Sequence, residues 1–436
     1  MINSEDTIVA CSSPPGSGAV SCIRVSGKSC SELFKNISGY EISHKKVSLC
    51  EIQLKEGLKE KCVLTSFIAP NSYTGEDVIE ISCHGNPLIV ELIISKLNDL
   101  GCRNAEPGEF TMRSYLNEKI SLVEAETIAD LITAESLEKL KAISKSLSGD
   151  FEKELNEAVL KLKKIRTKIE GEIDFNDQDT EINISSTKTE INDFNIYLKD
   201  FIDKIEEAVF VNEGVKVVIT GPENAGKSTL MNMLAKDDVS IVSEIPGTTR
   251  DLLQKSVKIQ GFIFDFIDTA GLSDNQEGTI EKIGIDLAKK ALNQANIIIE
   301  LVDPENMEYK MVYPEKSKVL KVINKLDLLK KADEKHLCIS AKYNKNLEEL
   351  KKSLINLAFS SKNKALEGFS ARTRHLKLIN KCFVETTAAE KLCFNGSVEL
   401  AAEHLRIASD FLGLIMDPYS SDDLLGEIFS SFCIGK

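Results

Sequence analysis

The segment GPENAGKS at positions 221–228 contains the residues with the clearest chemistry. It fits the pattern GxxxxGK(S/T) and lies between a strand-like segment, VKVVIT, and a helix-like one, TLMNMLA. Backbone N–H groups of such a loop can surround phosphates, Lys227 can reach the β- and γ-phosphate oxygens, and Ser228 can bind Mg²⁺. The sequence therefore predicts a phosphate-binding loop between a strand and a helix.

Two further segments fit the phosphate and magnesium side of the same site. DTAG at 268–271 follows a predicted strand, which would place Asp268 beside Mg²⁺ and the Gly271 N–H beside the γ-phosphate. PGTTRD at 246–251 offers Thr249 as a second hydroxyl ligand of Mg²⁺. The sequence thus predicts a magnesium site built from Ser228, Thr249 and the Asp268 side.

The segment NKLD at 324–327 predicts which base is bound. Asp327 can accept hydrogen bonds from the ring and exocyclic N–H donors of guanine, and Asn324 can satisfy the far edge of the base. Adenine lacks those donors and would leave the carboxylate unpaired. SAK at 340–342 adds another loop on the base side. In this order the segments resemble the five nucleotide-binding boxes of GTPases.

The residues predicted to contact GTP are Asn224, Ala225, Gly226, Lys227, Ser228, Thr229, Ser243, Glu244, Ile245, Pro246, Gly247, Thr248, Thr249, Asp268, Thr269, Ala270, Gly271, Asn324, Lys325, Asp327, Ser340 and Ala341.

The residues that would drive hydrolysis are less evident. Ras-like proteins orient the attacking water with a Gln just after the box that DTAG fills, but Leu272 stands there and cannot hydrogen-bond a water. Arg250 lies in the presumed switch segment, where a surface or structural role is as good an interpretation as an arginine finger. The site therefore needs another counterion and another group that orients the water.

The elements that position these residues follow a doubly wound α/β pattern. Apolar segments at 215–220, 262–268, 295–303 and 317–325 are predicted strands, with helical stretches between some of them. Leu- and Ile-spaced, Pro-free sequence from 121 to 175 predicts one long amphipathic helix, and helix is also predicted at 194–210 and again beyond residue 365. The polar stretch 176–193 predicts a loop. An α/β domain inserted into a helical domain explains this order.

The first part of the chain has a different character. Residues 7–27 predict strand, loop and strand, and residues 77–101 predict a strand followed by a helix. We expect a compact α+β domain at 1–117, a helical domain at 118–211 plus 366–436, and a Ras-like GTPase domain at 212–365. The predicted fold class is multidomain α/β, with a P-loop GTPase domain inserted in an all-α domain.

Composition limits the protein classes. With 54 basic and 68 acidic residues, the net charge of −14 gives no global attraction to nucleic acid. KLKKIRTK at 161–168 is a candidate basic patch, with a solvated helix face as the alternative. Eleven scattered Cys without a CxxC pair favour reduced thiols in the cytoplasm. The chain shows no signal-peptide pattern at its start and no apolar run long enough for a membrane span.

Taken together, these motifs resemble the MnmE (TrmE) family of tRNA-modifying GTPases. The resemblance extends over nearly the whole chain: PPGSGAVSCIRVSG, YTGEDVIEISCHGN, PGEFTMRSYLNEKISLVEAETIADLI, the nucleotide-binding boxes and the terminal FCIGK. It implies an N-terminal folate-binding domain, a split helical domain and an inserted GTPase domain.

The resemblance also implies roles in hydrolysis. A K⁺ ion would take the place of the arginine finger, held by Asn224, Ser243, Ile245 and Thr248. A cation there would neutralise developing charge as a guanidinium does. Glu281 would orient the water indirectly. By its residue type alone, Glu281 would be interpreted as an exposed helix residue.

The same resemblance implies a site for 5,10-methylene- or 5-formyl-tetrahydrofolate at Arg24, Glu80, Lys119 and Lys436. A folate offers a carboxylate tail to Arg or Lys and N–H donors to Glu. The terminal Cys433 would be a candidate catalytic thiol. The CIGK end fits lipidation poorly, because Lys is not a usual final residue of that signal.

The implied activity is a cytoplasmic, K⁺-activated GTPase that helps install a 5-carboxymethylaminomethyl group on the wobble uridine of tRNA. The implied partners are a second copy of the chain, the FAD-dependent protein MnmG (GidA) in a heterotetramer, and tRNA, with no membrane. Two other functions are compatible with the same nucleotide-binding boxes. One is a ribosome-assembly switch GTPase, which would not need the folate domain. The other is a binding scaffold that does not hydrolyse GTP. The complete set of Lys227, Ser228 and Asp268 disfavours the scaffold.

Overall fold

The computed structural model describes residues 6–174, 184–237, 254–268, 288–309, 311–315, 317–329, 335–359, 368–416, 422–430 and 432–436. These form two compact units, one of Met1–Ala129 with Gly413–Lys436 and one of Asp130–Leu412. The three predicted domain segments stay a proposal.

The strands are β1 (Ile8–Cys11), β2 (Val20–Ser26), β3 (Lys46–Gln53), β4 (Lys59–Phe67), β5 (Val78–His84), β6 (Arg103–Asn104), β7 (Val215–Thr220), β8 (Gln254–Ile259), β9 (Phe262–Asp268), β10 (Ile297–Val302), β11 (Lys318–Ile323) and β12 (Leu337–Cys338). The helices are α1 (Cys30–Ser38), α2 (Pro87–Asp99), α3 (Glu109–Leu116), α4 (Leu122–Ile132), α5 (Leu137–Leu147), α6 (Asp150–Asp174), α7 (Ile184–Glu213), α8 (Lys227–Asp237), α9 (Leu347–Ala358), α10 (Thr373–Phe394), α11 (Val398–Met416) and α12 (Asp422–Ser430).

The first unit contains a sheet with strand order β3-β4-β5-β2-β1-β6. Its strands alternate, so that Ile23, Val25 and Ile81 enter a core with Leu97 of α2. The residue between the first two, Arg24, lies on the other face and pairs in register with Glu80 of β5. The predicted strands at β1, β2 and β5 and the helix α2 are confirmed. The sheet thus places two of the predicted folate-binding residues side by side.

A smaller apolar cluster in this unit joins α3 and α4 to the end of the chain. Met112 and Leu122 pack with Ile428, Phe429 and Phe432. The aromatic rings of Phe429 and Phe432 lie 5.2 Å apart, centroid to centroid. This packing holds α12 and the first of the terminal residues against α3 and α4.

The second unit contains a sheet with strand order β12-β11-β10-β7-β9-β8. All the pairings are parallel except that of β8 with β9, which is antiparallel. Every residue of β10 is buried, as expected for a parallel strand covered on both faces. The predictions of strands at 215–220, 262–268, 295–303 and 317–325 are confirmed. In the sequence these strands lie between the helical segments, α4 to α7 before them and α10 to α12 after them.

The single long helix predicted over 121–175 is wrong, because α4, α5 and α6 occupy that stretch. Ser136 caps α5 by accepting a 3.1 Å hydrogen bond from the Lys139 N–H. Gly149 adopts φ +88° just before α6, which glycine does at little cost. A capping serine and a glycine can be found in the sequence, but the apolar spacing continues across both of them. The sequence interpretation therefore missed the ends of the helices.

The loop predicted over 176–193 is also wrong where the structure describes it, because residues 184–193 are helical in α7. Thr187 and Ile191 are buried on this polar segment. Thr187 also donates a 2.7 Å hydrogen bond to Glu172 of α6. Packing against neighbouring helices therefore outweighed the local polar composition.

Two further findings concern membrane spans and cysteines. Across the described residues, we find no helix with the length and apolarity needed to span a membrane. All eleven cysteines are free thiols.

Candidate functional site

The phosphate-binding loop connects β7 to α8, as its motif predicts. Gly221 has φ +149°, and a Cβ there would collide with the backbone carbonyl of Leu301. Gly226 has φ +93°, and a Cβ there would meet the side-chain amide of Asn324. Glycine is therefore required twice, because neighbouring strand ends approach the loop backbone.

Two polar side chains, Lys227 and Ser228, define the phosphate and magnesium side. The Nζ of the buried Lys227 donates 2.9 Å hydrogen bonds to the carbonyls of Gly221 and Pro222. These bonds hold the ammonium group over the loop. Ser228 Oγ donates a 2.7 Å hydrogen bond to Oδ2 of the buried Asp268, at the end of β9. The oxygens of Ser228 and Asp268 therefore converge as a hard cation requires.

The guanine side is tied to the phosphate loop through one buried amide. Asn324 Nδ2 donates to the Ala225 carbonyl at 2.8 Å, and Asn324 Oδ1 accepts from the Ala341 N–H at 3.0 Å. Asp327 Oδ1 accepts a 2.6 Å hydrogen bond from Ser340 Oγ. That hydrogen bond lowers the pKa of Asp327, so the group is a carboxylate acceptor at neutral pH.

The structure thus brings 224–229, Asp268, Asn324, Lys325, Asp327, Ser340 and Ala341 to one edge of the sheet, with Thr229 exposed on α8. The other predicted residues lie outside the described residues: Ser243, Glu244, Ile245, Pro246, Gly247, Thr248, Thr249, Thr269, Ala270, Gly271 and Glu281.

Asp303 is a site residue that the sequence interpretation missed. Lys325 has φ +58°, and its Nζ lies 2.8 Å from Oδ2 of the buried Asp303. Burial raises the pKa of Asp303, but hydrogen bonds from Lys325 and Asn306 outweigh it and leave the pKa below its usual range. An Asp directly after the largely apolar β10 was the available signal, since carboxyl ends of parallel strands meet at one edge.

The sheet of the first unit joins Arg24 to Glu80. The Nε and Nη2 atoms of Arg24 donate to Glu80 Oε1 at 3.0 and 2.8 Å. The guanidinium carbon lies 5.2 Å from the ring centroid of Tyr73 and 5.8 Å from that of Phe110. A cation stacked on two rings with a carboxylate beside it offers both charges to a flat, polar ligand.

The terminal residues are docked on the first unit. Ser12 Oγ donates to the Gly435 carbonyl at 3.0 Å, and the Gly108 N–H donates to the Cys433 carbonyl at 3.4 Å. Gly435 has φ +94°, and a Cβ there would collide with the carbonyl of Cys11. The frayed terminus expected of most chain ends is therefore absent from the described residues 432–436.

Three predicted residues around this tail differ in surroundings. Burial, and then the charge of Arg24, lower the pKa of Lys436. Lys119 is exposed, and its side chain lies beside Gly75. Cys433 is exposed and lines a cavity of about 860 Å³ together with residues of α2 and the 13–16 loop. The described residues that line this cavity do not include the predicted folate-binding residues Arg24, Glu80, Lys119 and Lys436.

The described residues contain no cluster of three or more His, Cys, Asp or Glu side chains able to hold a metal ion. A magnesium site here would instead combine Ser228 and Asp268 with nucleotide oxygens.

Comparison with known proteins places the chain in a family. The model "GTP-binding protein TrmE N-terminus" matches residues 7–119, and the model "MnmE helical domain" matches residues 122–433. A tRNA modification GTPase MnmE of Francisella tularensis subsp. holarctica is 37% identical over 455 residues, covering 99% of each chain. This chain belongs to the MnmE family. The resemblance inferred from its motifs is confirmed, and so is the predicted multidomain α/β fold class.

The chain is also similar to a second curated relative and to a solved G domain. The tRNA modification GTPase MnmE of Francisella philomiragia is 36% identical over 452 residues, again covering 99% of each chain. The G domain of the T. maritima FeoB iron transporter is 26% identical and covers 33% of this chain and 98% of its own, with a TM-score of 0.24. Membership over nearly the full length disfavours a ribosome-assembly GTPase, which would not need the TrmE N-terminal domain.

Proposed function

We propose that this chain hydrolyses GTP with Mg²⁺ and that hydrolysis serves tRNA modification. The observation that carries the proposal is the buried amide of Asn324, which joins the phosphate loop at Ala225 to the base-side loop at Ala341. Lys227 would exchange its bonds to loop carbonyls for bonds to phosphate oxygens. Ser228 would hold Mg²⁺ together with Thr249, and Asp268 would lie on the same side.

We also propose that K⁺ supplies the positive charge that an arginine finger supplies elsewhere. Asn224 is exposed at the surface of the phosphate loop, so its side-chain oxygen is accessible to a cation. The family resemblance assigns the remaining K⁺ ligands to Ser243, Ile245 and Thr248. A cation beside the phosphates stabilises negative charge that develops during hydrolysis. Glu281 would orient the attacking water.

The test is GTP hydrolysis in KCl and in NaCl at equal ionic strength. We expect strong stimulation by KCl, lost in Asn224→Ala, and loss of hydrolysis in Glu281→Ala. Asn232→Ala is the matched control, because Asn232 is exposed on the following helix, away from the loop. Equal rates of the wild type in the two salts would contradict the role of K⁺ while leaving GTP binding intact.

A tetrahydrofolate, carrying a methylene or formyl group, is the proposed ligand of the first unit. The ion pair of Arg24 and Glu80 supplies donors and an acceptor, and Tyr73 supplies an aromatic face. Lys119 and Lys436 would add positive charge for the carboxylate tail. The bound folate would supply the one-carbon unit of the modification.

Folate binding can be measured directly by titrating 5-formyl-tetrahydrofolate into the full chain. We expect Arg24→Ala to weaken binding strongly. Lys59→Ala should leave binding unchanged, because that cation is 57% exposed at one end of β4. Equal affinities of the two variants would contradict this site.

We propose that the modification is 5-carboxymethylaminomethylation of the wobble uridine, in the cytoplasm, by a homodimer working with the FAD-dependent MnmG in a heterotetramer. RNA contact through the 161–168 segment is disfavoured, because Lys161, Arg166 and Lys168 each pair with a glutamate at 2.8, 3.1 and 2.7 Å. Three of the five cations in this solvated helix segment are therefore paired, and Lys163 and Lys164 are exposed. This pairing favours RNA binding through the partner.

The modification is tested in bacteria that lack their own MnmE. Mass spectrometry of tRNA nucleosides should show the carboxymethylaminomethyl group restored by this chain and not by its Lys227→Ala variant. Small-angle scattering should show closure of the dimer with a GTP analogue in KCl. Restored tRNA modification by the Lys227→Ala variant would contradict the coupling to GTP.

A further inference from the structure

A buried arginine lies beneath the proposed folate site without taking part in it. The side chain of Arg113 on α3 is 2% exposed. Its Nη2 donates to Glu109 Oε1 at 2.9 Å, and its Nη1 donates to the Asp6 carbonyl at 2.8 Å. Nη1 also reaches both carboxylate oxygens of Glu76, at 3.2 and 3.1 Å. Arg113 therefore connects α3 to the loop that contains Glu76.

That loop, residues 72–77, is fixed to the sheet through the same carboxylate. Ser26 Oγ, at the end of β2, donates to Glu76 Oε2 at 2.7 Å. Ser26 Oγ and Thr74 Oγ1 are also 2.7 Å apart. Because Glu76 is shared by Arg113 and Ser26, the position of the 72–77 loop depends on the buried guanidinium.

A second set of bonds joins the 72–77 loop to α3 and its C-terminal end. The hydroxyl groups of Tyr73 and Thr111 lie 2.9 Å apart. Ser114 Oγ donates to the Tyr73 carbonyl at 2.7 Å, and Asn117 Nδ2 donates to the Thr74 carbonyl at 2.7 Å. The loop and α3 therefore form one hydrogen-bonded unit.

The proposed folate-binding cations rest on this unit. Arg24 stacks on Tyr73 from the loop and on Phe110 from α3. Lys119 lies beside Gly75 of the loop, so that a Cβ on Gly75 would be 3.2 Å from Lys119 Cγ. Movement of the loop against α3 would therefore shift the surface under Arg24 and the position of Lys119 together.

We propose that Arg113 is a positioning residue of this site and sets the separation between the Arg24–Glu80 pair and Lys119. The inference rests on the proposed folate function. Arginine is needed because its planar fork reaches three acceptors in different directions, whereas a lysine ammonium is a point charge. Preorganised groups bind a ligand more tightly because less ordering remains to be done.

The experiment compares Arg113→Lys with Arg103→Lys in the full chain. Arg103 shares the Glu109 partner, with Nη2 to Oε1 at 2.8 Å, but its other hydrogen bonds go to Asp6 and the Asn104 carbonyl, outside the 72–77 loop. The Kd for 5-formyl-tetrahydrofolate, the Kd for a fluorescent GTP analogue and the urea midpoint are measured for both.

We expect Arg113→Lys to raise the folate Kd about tenfold, because a preorganised site becomes loose. Arg103→Lys should change it less than about threefold, since that pair is partly exposed. The GTP Kd should not change in either. A positioning role also predicts a smaller loss for p-aminobenzoylglutamate, which lacks the pterin and cannot span both ends of the site. A merely structural role would weaken both ligands alike.

Each outcome decides between the inference and its rivals. If the wild type binds no folate, the proposed folate function fails and this inference fails with it. If the wild type binds folate and Arg113→Lys binds it equally well, only the inference is overturned. If Arg113→Lys does not fold, Thr111→Val removes one loop contact without disturbing a buried charge, and an unchanged folate Kd in that variant overturns the inference.

Discussion

Replacing Asn324 by Ala tests whether one buried amide holds the nucleotide site together. Asn324 is 3% exposed, and its amide bonds the Ala225 carbonyl and the Ala341 N–H. Ala225 and Ala341 are both 0% exposed, so water cannot replace the lost partner without rearrangement. Asn324→Ala therefore leaves one buried acceptor and one buried donor unpaired.

The size of the effect follows from those two groups. Leaving a buried polar group unpaired costs about 1–3 kcal/mol, so two groups cost about 2–6 kcal/mol of the free energy of unfolding of the GTPase domain. The phosphate loop also loses its tie to the base-side loop before GTP binds. If about 2.8 kcal/mol of the loss falls on binding, the Kd for GTP rises about a hundredfold.

The assays are urea unfolding and equilibrium binding of a fluorescent GTP analogue. Asn232→Ala is the control, because its exposed side chain accepts only a 2.6 Å bond from Lys255 in the described structure. Asn324→Asp keeps an acceptor for the Ala341 N–H but sets a carboxylate against the Ala225 carbonyl. A GTP Kd of Asn324→Ala within threefold of wild type, with unchanged unfolding, would refute the argument.

Three more predictions follow from other contacts. Ser228→Ala removes the hydroxyl bonded to Asp268, so half-maximal hydrolysis should need at least about tenfold more Mg²⁺ in a magnesium titration; an unchanged titration would contradict this. Gly435→Ala should undock the tail, because its φ of +94° and the nearby Cys11 carbonyl leave no room for a Cβ. Carboxypeptidase should then release Lys436 faster than from wild type, and equal release would count against docking. The pKa of Glu109 lies below its ordinary 4.5, since burial raises it but hydrogen bonds from Arg103, Glu106 N–H and Arg113 lower it more. The unfolded state then binds the proton more readily, so this stability is present above pH 4.5 and lost as pH falls through the folded pKa. Between pH 6 and 3 the urea midpoint of Glu109→Gln should fall less steeply than that of wild type, and parallel curves would exclude this linkage.

The sequence predicted those elements whose patterns do not depend on distant packing. The bounds of β7 and β9 match the predicted strands, because both are short apolar runs with a glycine directly after or before them. The phosphate loop followed from its motif because glycine is required wherever another backbone approaches. Local chemistry was sufficient in these places.

Long-range packing decided the elements that the sequence missed. The start of α7 is polar overall, yet Lys188 within it lies over the ring of Phe394 of α10, with its Nζ 3.0 Å from the ring centroid. Further along the same helix, Asn195 accepts a 2.6 Å hydrogen bond from the buried Thr386 of α10. Such contacts join residues about two hundred positions apart, so no local window contains them.

The candidate sites show the same division. Asp327 and Ser228 could be assigned from motifs, because their partners are a base and a metal with known chemistry. The supporting pairs, Lys325 with Asp303 and Arg113 with Glu76, join separate elements and leave no local pattern. Motifs therefore identify the groups that touch a ligand, and the structure identifies the groups that hold them.

The terminal residues Lys436 and Cys433, which the family resemblance assigned to one site, have different surroundings. Residues alternate across a strand, so Arg24 faces away from the core that Ile23 and Val25 share with α2. The pKa of Lys436 is lowered by burial and then by the charge of Arg24, whereas Cys433 lines the cavity that α2 borders. The proposed folate binding would therefore use Lys436 and the docked backbone, and a covalent role of Cys433 would need a substrate that enters this cavity. Cys433→Ser should then leave folate affinity intact, because the thiol lines a cavity that the proposed folate-binding residues do not line.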